Sequence, residues 1–240
     1  MNTQKMRLLA ILLMLLAGMS FAQRTSTIDI ESDGLVYPAY LAEPRAPGSH
    51  PAVILLHSFR GLQEGYRTLT REFAAEGYVV LAIEWQTHTS QPDDAVVEQL
   101  LREGITFLQG QDNVNADSIG LTGFCAGGRY TMLMLPQIEG FSAGVAWYGF
   151  PYNGEPSAAD LAGELDTPLY IIHGSADQPS PIGDIYNYAQ ALEQAGAYYE
   201  LKVYAEQPHG FMVEGPEVNR EPAAQNAYSE MVAFFDRFLK

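Results

Sequence analysis

The sequence of 240 residues contains a single cysteine, Cys125, and only two tryptophans. One cysteine excludes an internal disulfide, so the fold depends on a hydrophobic core and not on covalent cross-links. Basic residues are also scarce, since 13 lysines and arginines stand against 29 aspartates and glutamates, for a net charge of −16. This balance argues against nucleic acid and anionic membranes as partners.

Apolar runs long enough to span a bilayer comfortably are lacking as well. The one extended apolar run, residues 8–19, follows Lys5 and Arg7 and leads to Ala22. This pattern is typical of a secretory signal peptide, residues 1–22, cleaved after Ala22. The alternative is an uncleaved anchor or a misassigned start. Cleavage would remove both cations and change the net charge from −16 to −18. We therefore expect residues 23–240 to form a periplasmic or secreted protein without a membrane partner.

Alternating strand and helix patterns fill the rest of the chain. Segments 25–32 and 34–44 are predicted to be strands joined by a hairpin turn at Asp33-Gly34. Further strands are predicted over 51–58, 78–84, 118–123, 141–149, 168–174 and 198–204, and helices over 66–77, 92–109, 126–135, 182–196 and 228–238. This order predicts a single α/β domain, with a mostly parallel sheet, an N-terminal antiparallel hairpin and helices on both faces. Residues 151–167 are expected to be a flap over a site or a long surface connection.

Cys125 lies in the stretch TGFCAGG, residues 122–128, where a predicted strand meets a predicted helix. A nucleophile between glycines at such a junction is the pattern of a nucleophile elbow, in which glycines allow close backbone approach. The N-terminus of the following helix would favour a thiolate and an oxyanion on the substrate. The alternative is a small buried thiol in a tight turn.

An acid and a base follow the cysteine in the order that an elbow requires. Asp177 comes just after the strand 168–174, and His209 just after the last strand. Because parallel strands end at one edge of a sheet, these side chains are expected to converge on Cys125. The alternatives are a turn or capping carboxylate and a surface histidine.

Four segments resemble the dienelactone hydrolase family, whose members are thiol enzymes of the α/β-hydrolase superfamily. They are HSFRGLQEGYRTLTREFAAEGYVVLA (57–82), GFCAGG (123–128), HGSAD (173–177) and PHGF (208–211). The resemblance implies an α/β-hydrolase fold with Cys125 as nucleophile, His209 as base and Asp177 as orienting acid. It also implies that the backbone N–H groups of Phe59 and Ala126 form the oxyanion hole.

The sequence departs from this family at positions that matter for substrate choice. Ser58 stands where members usually carry a glutamate that engages the resting thiol. Glu84-Trp85-Gln86 and Met212-Val213 stand where the archetypal members carry arginines that grip a substrate carboxylate. We therefore expect a small neutral ester or lactone as substrate. The candidate substrate-binding residues are Ser58, Trp85, Tyr148 and Tyr152, for which ordinary packing is the alternative.

Two other functions compete with an esterase of this kind. A catalytically silent protein could use the same cleft to bind a small ligand, although binding alone would not need Cys125, Asp177 and His209. A peptidase of related fold is disfavoured because no propeller or large lid domain is present. No metal or organic cofactor is required by these motifs, and the expected assembly is a monomer or small homo-oligomer.

Overall fold

The structure is a computed structural model that describes residues 23–240. The predicted signal peptide, residues 1–22, lies outside the described residues and stays a prediction. From residue 23 onward, no helix combines the length and apolar character needed to cross a membrane.

One eight-stranded sheet organises the domain, in the strand order β1-β2-β4-β3-β5-β6-β7-β8. The strands are β1 (Arg24–Ser32), β2 (Leu35–Glu43), β3 (His50–Leu56), β4 (Val79–Ile83), β5 (Val114–Phe124), β6 (Ala143–Trp147), β7 (Leu169–Gly174) and β8 (Tyr199–Tyr204). β2 pairs antiparallel with both β1 and β4, and all other pairings are parallel. The predicted α/β-hydrolase fold with an N-terminal antiparallel hairpin is confirmed.

Within residues 23–240, five α-helices cover the two faces of the sheet. They are α1 (Glu64–Ala75), α2 (Asp94–Gln109), α3 (Ala126–Met134), α4 (Ile182–Ala195) and α5 (Pro222–Leu239). Helices α2, α3 and α4 bury apolar side chains in one core, and α1 and α5 in the other. Alternate residues of β3 enter opposite cores, as a two-residue side-chain period requires: Ile54 enters the first and Leu55 the second.

Several element boundaries differ from those predicted. The last helix begins at Pro222 and not near residue 228, because a proline is well suited to the first helical turn. The strand predicted over 141–149 ends at Trp147, since Tyr148 has a φ of 37°, which extended strands do not contain. A short hairpin, β9 (Val213–Glu214) with β10 (Glu217–Val218), was not predicted. Two-residue strands are too short to give a periodic pattern.

Candidate active site

The turn between β5 and α3 holds Cys125 in an unusual backbone conformation. Its φ is 58° and its ψ is −110°, in a region that non-glycine residues rarely occupy. The Cys125 N–H donates a hydrogen bond of 3.0 Å to the carbonyl oxygen of Trp147 on β6. This hydrogen bond anchors the elbow to the neighbouring strand. A strained backbone conformation like that of Cys125 is typical of functional sites.

The glycines around Cys125 are required by close backbone approach. A Cβ atom at Gly127 would overlap the carbonyl oxygen of Leu56, and one at Gly128 would overlap that of Trp147. A Cβ atom at Gly123 would overlap the carbonyl oxygen of Gly127. The first turn of α3 thus packs directly against β3 and β6, with no room for side chains.

Substitution Gly127→Ala is expected to destabilise the protein by about 3 kcal/mol or more, because overpacking a rigid backbone contact forces the elbow to shift. The melting temperature should fall by roughly 8 °C for a chain of this length. Gly163→Ala is the matched control, since a Cβ atom there meets no atom of the described residues within 4 Å. Equal melting temperatures for the two variants would contradict this account of the elbow.

His209 and Asp177 form a hydrogen-bonded pair at the same edge of the sheet. His209 Nδ1–H donates to Asp177 Oδ2 over 2.8 Å, and the Asp177 carboxylate is buried. The other carboxylate oxygen, Oδ1, accepts a hydrogen bond of 2.8 Å from the Ser180 N–H. His209 Nε2 is buried, has no hydrogen-bond partner among residues 23–240, and lines the same cleft as Cys125. The three predicted residues thus meet in one place.

The electrostatics of His209 favour its protonated form. Burial lowers the pKa of His209, but the hydrogen bond to Asp177 and interaction with the Cys125 thiol outweigh it and raise the pKa to about 9. Since this value exceeds the ordinary 6.5, protonated His209 stabilises the fold. That contribution is fully present below about pH 6.5 and is lost as the pH rises through about 9. At neutral pH the imidazole is therefore able to hold a proton next to the sulfur.

Two backbone donors are available beside Cys125. Phe59 lies in the loop after β3 and lines the cleft, and Ala126 is the first residue of α3. Within the part of the chain that the structure describes, neither N–H donates a hydrogen bond to a protein acceptor. Donors without a protein partner, one at a helix N-terminus and one in a loop, match the layout of an oxyanion hole.

His57 and Trp85 support the loop that carries Phe59. His57 Nδ1–H donates to the Ser58 carbonyl oxygen over 2.6 Å, and Trp85 Nε1–H donates to the His57 carbonyl oxygen over 3.2 Å. The two rings stack with centroids 5.0 Å apart. Burial lowers the pKa of His57 to about 4, so its ring is neutral. Trp85 therefore holds the loop from behind and does not reach the cleft.

The cleft around Cys125 has a volume of about 340 Å³. Of the four predicted substrate-binding residues, Ser58 and Tyr148 line it, whereas Trp85 and Tyr152 lie apart from it. Trp85 is buried behind the loop, and Tyr152 is exposed on the connection 151–167, none of whose residues lines the cleft. This connection is therefore a surface segment and not a flap in this structure.

Five further side chains line the cleft and were not predicted to do so: Arg60, Gln63, Tyr66, Val213 and Glu214. Tyr66 lies in the first turn of α1, and Glu214 is carried by the β9–β10 hairpin. That hairpin packs on Gly65, where a Cβ atom would lie 2.6 Å from Val213 Cγ1. The sequence signal for Arg60 was available, because it follows Phe59 directly, but the signal for Glu214 was not.

Comparison with known proteins identifies the family. The sequence profile described as the dienelactone hydrolase family matches residues 37–239. The chain belongs to the dienelactone hydrolase family. Membership confirms the resemblance predicted from the sequence, and it makes this chain a carboxylic-ester hydrolase.

Relatives of this hydrolase include two bacterial proteins with the provisional name carboxymethylenebutenolidase. The one from Methylorubrum extorquens is 29% identical over 229 residues, covering 86% of this chain and 78% of the relative. The one from Salmonella typhimurium is 29% identical over 231 residues, covering 87% of this chain and 86% of the relative.

Solved structures agree with this assignment. The crystal structure of a provisionally named dienelactone hydrolase from Klebsiella pneumoniae has a TM-score of 0.82 at 29% identity, covering 90% of this chain and 100% of that one. Pyrococcus horikoshii acylaminoacyl peptidase has a TM-score of 0.78 at 17% identity, and the match covers only 43% of that chain. The likeness to the peptidase is one of fold alone.

Proposed function

We propose that this hydrolase cleaves a small neutral ester or lactone through a thioester formed on Cys125. The observation that carries the proposal is the cleft itself, in which Cys125 and His209 lie together while His209 is bonded to Asp177 over 2.8 Å. A nucleophile, a base and an orienting acid in this arrangement are the requirements of two-step acyl transfer.

In the first step, the proton of the Cys125 thiol passes to His209 Nε2, where the raised pKa of His209 holds it, and the thiolate attacks the ester carbonyl carbon. The carbonyl electron pair moves to the oxygen, which accepts hydrogen bonds from the N–H groups of Phe59 and Ala126. Each such donor is typically worth about 3 kcal/mol of transition-state stabilisation. The oxyanion then collapses, the C–O bond breaks, and His209 returns the proton to the departing alkoxide.

In the second step, water attacks the thioester carbonyl while His209 takes one of its protons. The new tetrahedral oxyanion occupies the same two N–H donors and collapses by breaking the C–S bond. His209 then returns the proton to the sulfur, and the acid product leaves. Asp177 keeps Nδ1 protonated throughout, so Nε2 is the basic nitrogen that faces Cys125.

The charges around the cleft support a neutral substrate. Among the residues that the structure describes, Arg60 is the cation and Glu214 the carboxylate that line it beside His209, and these two charges cancel. A carboxylate-bearing substrate would gain one attraction and one repulsion there, in a protein whose net charge is −16. The aromatic residues Phe59, Tyr66 and Tyr148 add apolar surface for an aryl or short acyl group.

A pair of aryl esters that differ only in a carboxylate on the acyl group tests this substrate class. We expect kcat/KM to be higher for the neutral ester, by roughly fivefold, because the charges of Arg60 and Glu214 cancel while the net charge of −16 repels the anionic ester. One exposed charge contact is worth roughly 1 kcal/mol. Glu214→Gln should raise kcat/KM for the anionic ester about fivefold, and Arg60→Gln should lower it by a similar factor.

The matched control is Glu139→Gln, an exposed glutamate that does not line this cleft, which should leave the selectivity unchanged. Faster hydrolysis of the anionic ester by the unmodified enzyme would overturn the neutral-substrate proposal. It would instead favour the carboxymethylenebutenolide that the relatives' name specifies. Binding of both esters without turnover would favour a silent binding protein.

A further inference from the structure

The carboxylate of Asp177 is held by more than His209. Its Oδ1 accepts the Ser180 N–H over 2.8 Å, and its Oδ2 accepts His209 Nδ1–H over 2.8 Å. A second imidazole is close by, because His173 Nε2 lies 3.5 Å from the same Oδ2 atom. Both carboxylate oxygens are therefore engaged in a buried environment, and only Oδ2 faces His209.

Ser180 connects three parts of the site at once. Besides the N–H bond to Asp177, its carbonyl oxygen accepts His173 Nε2–H over 2.8 Å, and its Oγ–H donates to the Gly149 carbonyl oxygen over 2.6 Å. Gly149 in turn packs on Gly128 so closely that a Cβ atom on it would lie 2.6 Å from the Gly128 carbonyl carbon. Residues 175–180, which carry Asp177 and are called the acid turn below, follow β7. Since Gly128 is in the first turn after Cys125, Ser180 connects the acid turn to the nucleophile elbow.

His173 is a fully buried residue of β7, paired with Val203 of β8, the strand that leads to His209. Its Nε2 donates to a carbonyl oxygen, which places its proton on that nitrogen. The buried Nδ1 atom has no hydrogen-bond partner between residues 23 and 240. Burial lowers the pKa of His173, so the ring is neutral. A neutral His173 ring does not form an ion pair with Asp177, so the carboxylate can stabilise a positive charge on His209.

We propose that His173 and Ser180 are positioning residues, which present Asp177 Oδ2 to His209 and hold the acid turn at a fixed distance from the Cys125 elbow. The proposal rests on the function proposed above, in which Asp177 and His209 are the orienting acid and the base. His173 and Ser180 act only through those two residues. Neither lines the cleft.

Two amide substitutions at position 173 test this role. In His173→Gln, the side-chain amide N–H lies at about the position of Nε2 and can still donate to the Ser180 carbonyl oxygen. In His173→Asn, the chain is one carbon shorter, so the donor lies near the position of Nδ1 and cannot reach it. We expect His173→Asn to lower kcat about tenfold or more at unchanged KM, because small misplacements of catalytic groups are costly. His173→Gln should recover most of the activity.

Ser180→Ala removes only the hydroxyl bond to Gly149 and should also lower kcat about tenfold at unchanged KM. Ser142→Ala is the matched control, because it removes a similar bond, from Ser142 Oγ to the Asp117 carbonyl oxygen over 2.9 Å, at the opposite edge of the sheet. If His173→Asn does not fold, Ser180→Ala decides the question, since it keeps His173 in place.

Titration of His209 by NMR separates positioning from mere stability. The groups that interact with His209 are Asp177, Cys125 and His173, with the rings of Tyr148 and Phe150 against it. A displaced Asp177 would support the imidazolium less, so the pKa of His209 should fall from about 9 in His173→Asn and Ser180→Ala. A lower melting temperature with kcat and the His209 pKa unchanged would overturn the proposal. If the function proposed above is wrong, Cys125→Ala will remain active. That result is separate from any outcome for His173 and Ser180.

Discussion

Substitution Cys125→Ala is expected to lower kcat/KM for a neutral aryl ester by about 10⁴-fold or more, because loss of the nucleophile leaves only the oxyanion donors and substrate binding. Alanine retains the Cβ atom, so the backbone at a φ of 58° keeps its conformation. The melting temperature should therefore change little. The variant therefore tests the chemical role of the sulfur without changing the backbone of the elbow.

The complementary measurement is the intact mass of the unmodified enzyme, quenched with acid during turnover. It should increase by one acyl group, and peptide mapping should locate that group on Cys125. Cys125→Ser provides a control, since a hydroxyl in the same position can form an acyl-enzyme more slowly. An alanine variant within tenfold of the unmodified enzyme, or an acyl group on another residue, would contradict a thioester mechanism.

Substitution Asp177→Asn is expected to lower kcat by about 10⁴-fold. The Ser180 N–H donates to Asp177 Oδ1, and in the variant it would select the orientation in which the amide oxygen takes that position. The amide NH₂ group would then face His209 Nδ1, where the carboxylate oxygen had accepted a hydrogen bond. Nδ1 would become the acceptor, and Nε2 would carry the proton. The nitrogen facing Cys125 could then no longer act as a base.

Asp112→Asn is the matched control, because Asp112 is an exposed aspartate before β5, at the edge of the sheet opposite the cleft. It should leave kcat unchanged. The NMR pKa of His209 should fall in Asp177→Asn, since the bond to the carboxylate raises it in the unmodified protein. An Asp177→Asn variant with kcat within tenfold of the unmodified enzyme would show that this carboxylate does not set the tautomer.

Both the elbow at Cys125 and the pairing of Asp177 with His209 could be predicted from the sequence, for different reasons. The elbow around Cys125 was predictable, since glycines at 123, 127 and 128 between a strand and a helix leave few alternatives for the backbone. The convergence of Asp177 and His209 was predictable for a topological reason: both follow strands that run parallel to β5, and parallel strands end at one edge.

The shape of the cleft was not predictable in the same way. Trp85 follows a strand at that same edge, but its indole N–H donates to the His57 carbonyl oxygen and its ring stacks on the His57 imidazole. A strand-end position specifies the edge of the sheet and not the direction in which a side chain turns. That direction depends on which neighbours satisfy its polar and apolar atoms.

The sequence by itself determined the fold class, the elbow and the convergence of Cys125, Asp177 and His209 at one edge of the sheet, because these depend on local periodicity, glycine placement and strand direction. Only the tertiary structure decided that Glu214 reaches the cleft and that Ser180 joins the acid turn to Gly149, 31 residues away. Such contacts join segments distant in sequence. They arise from close packing of the folded chain, which no local pattern of residues encodes.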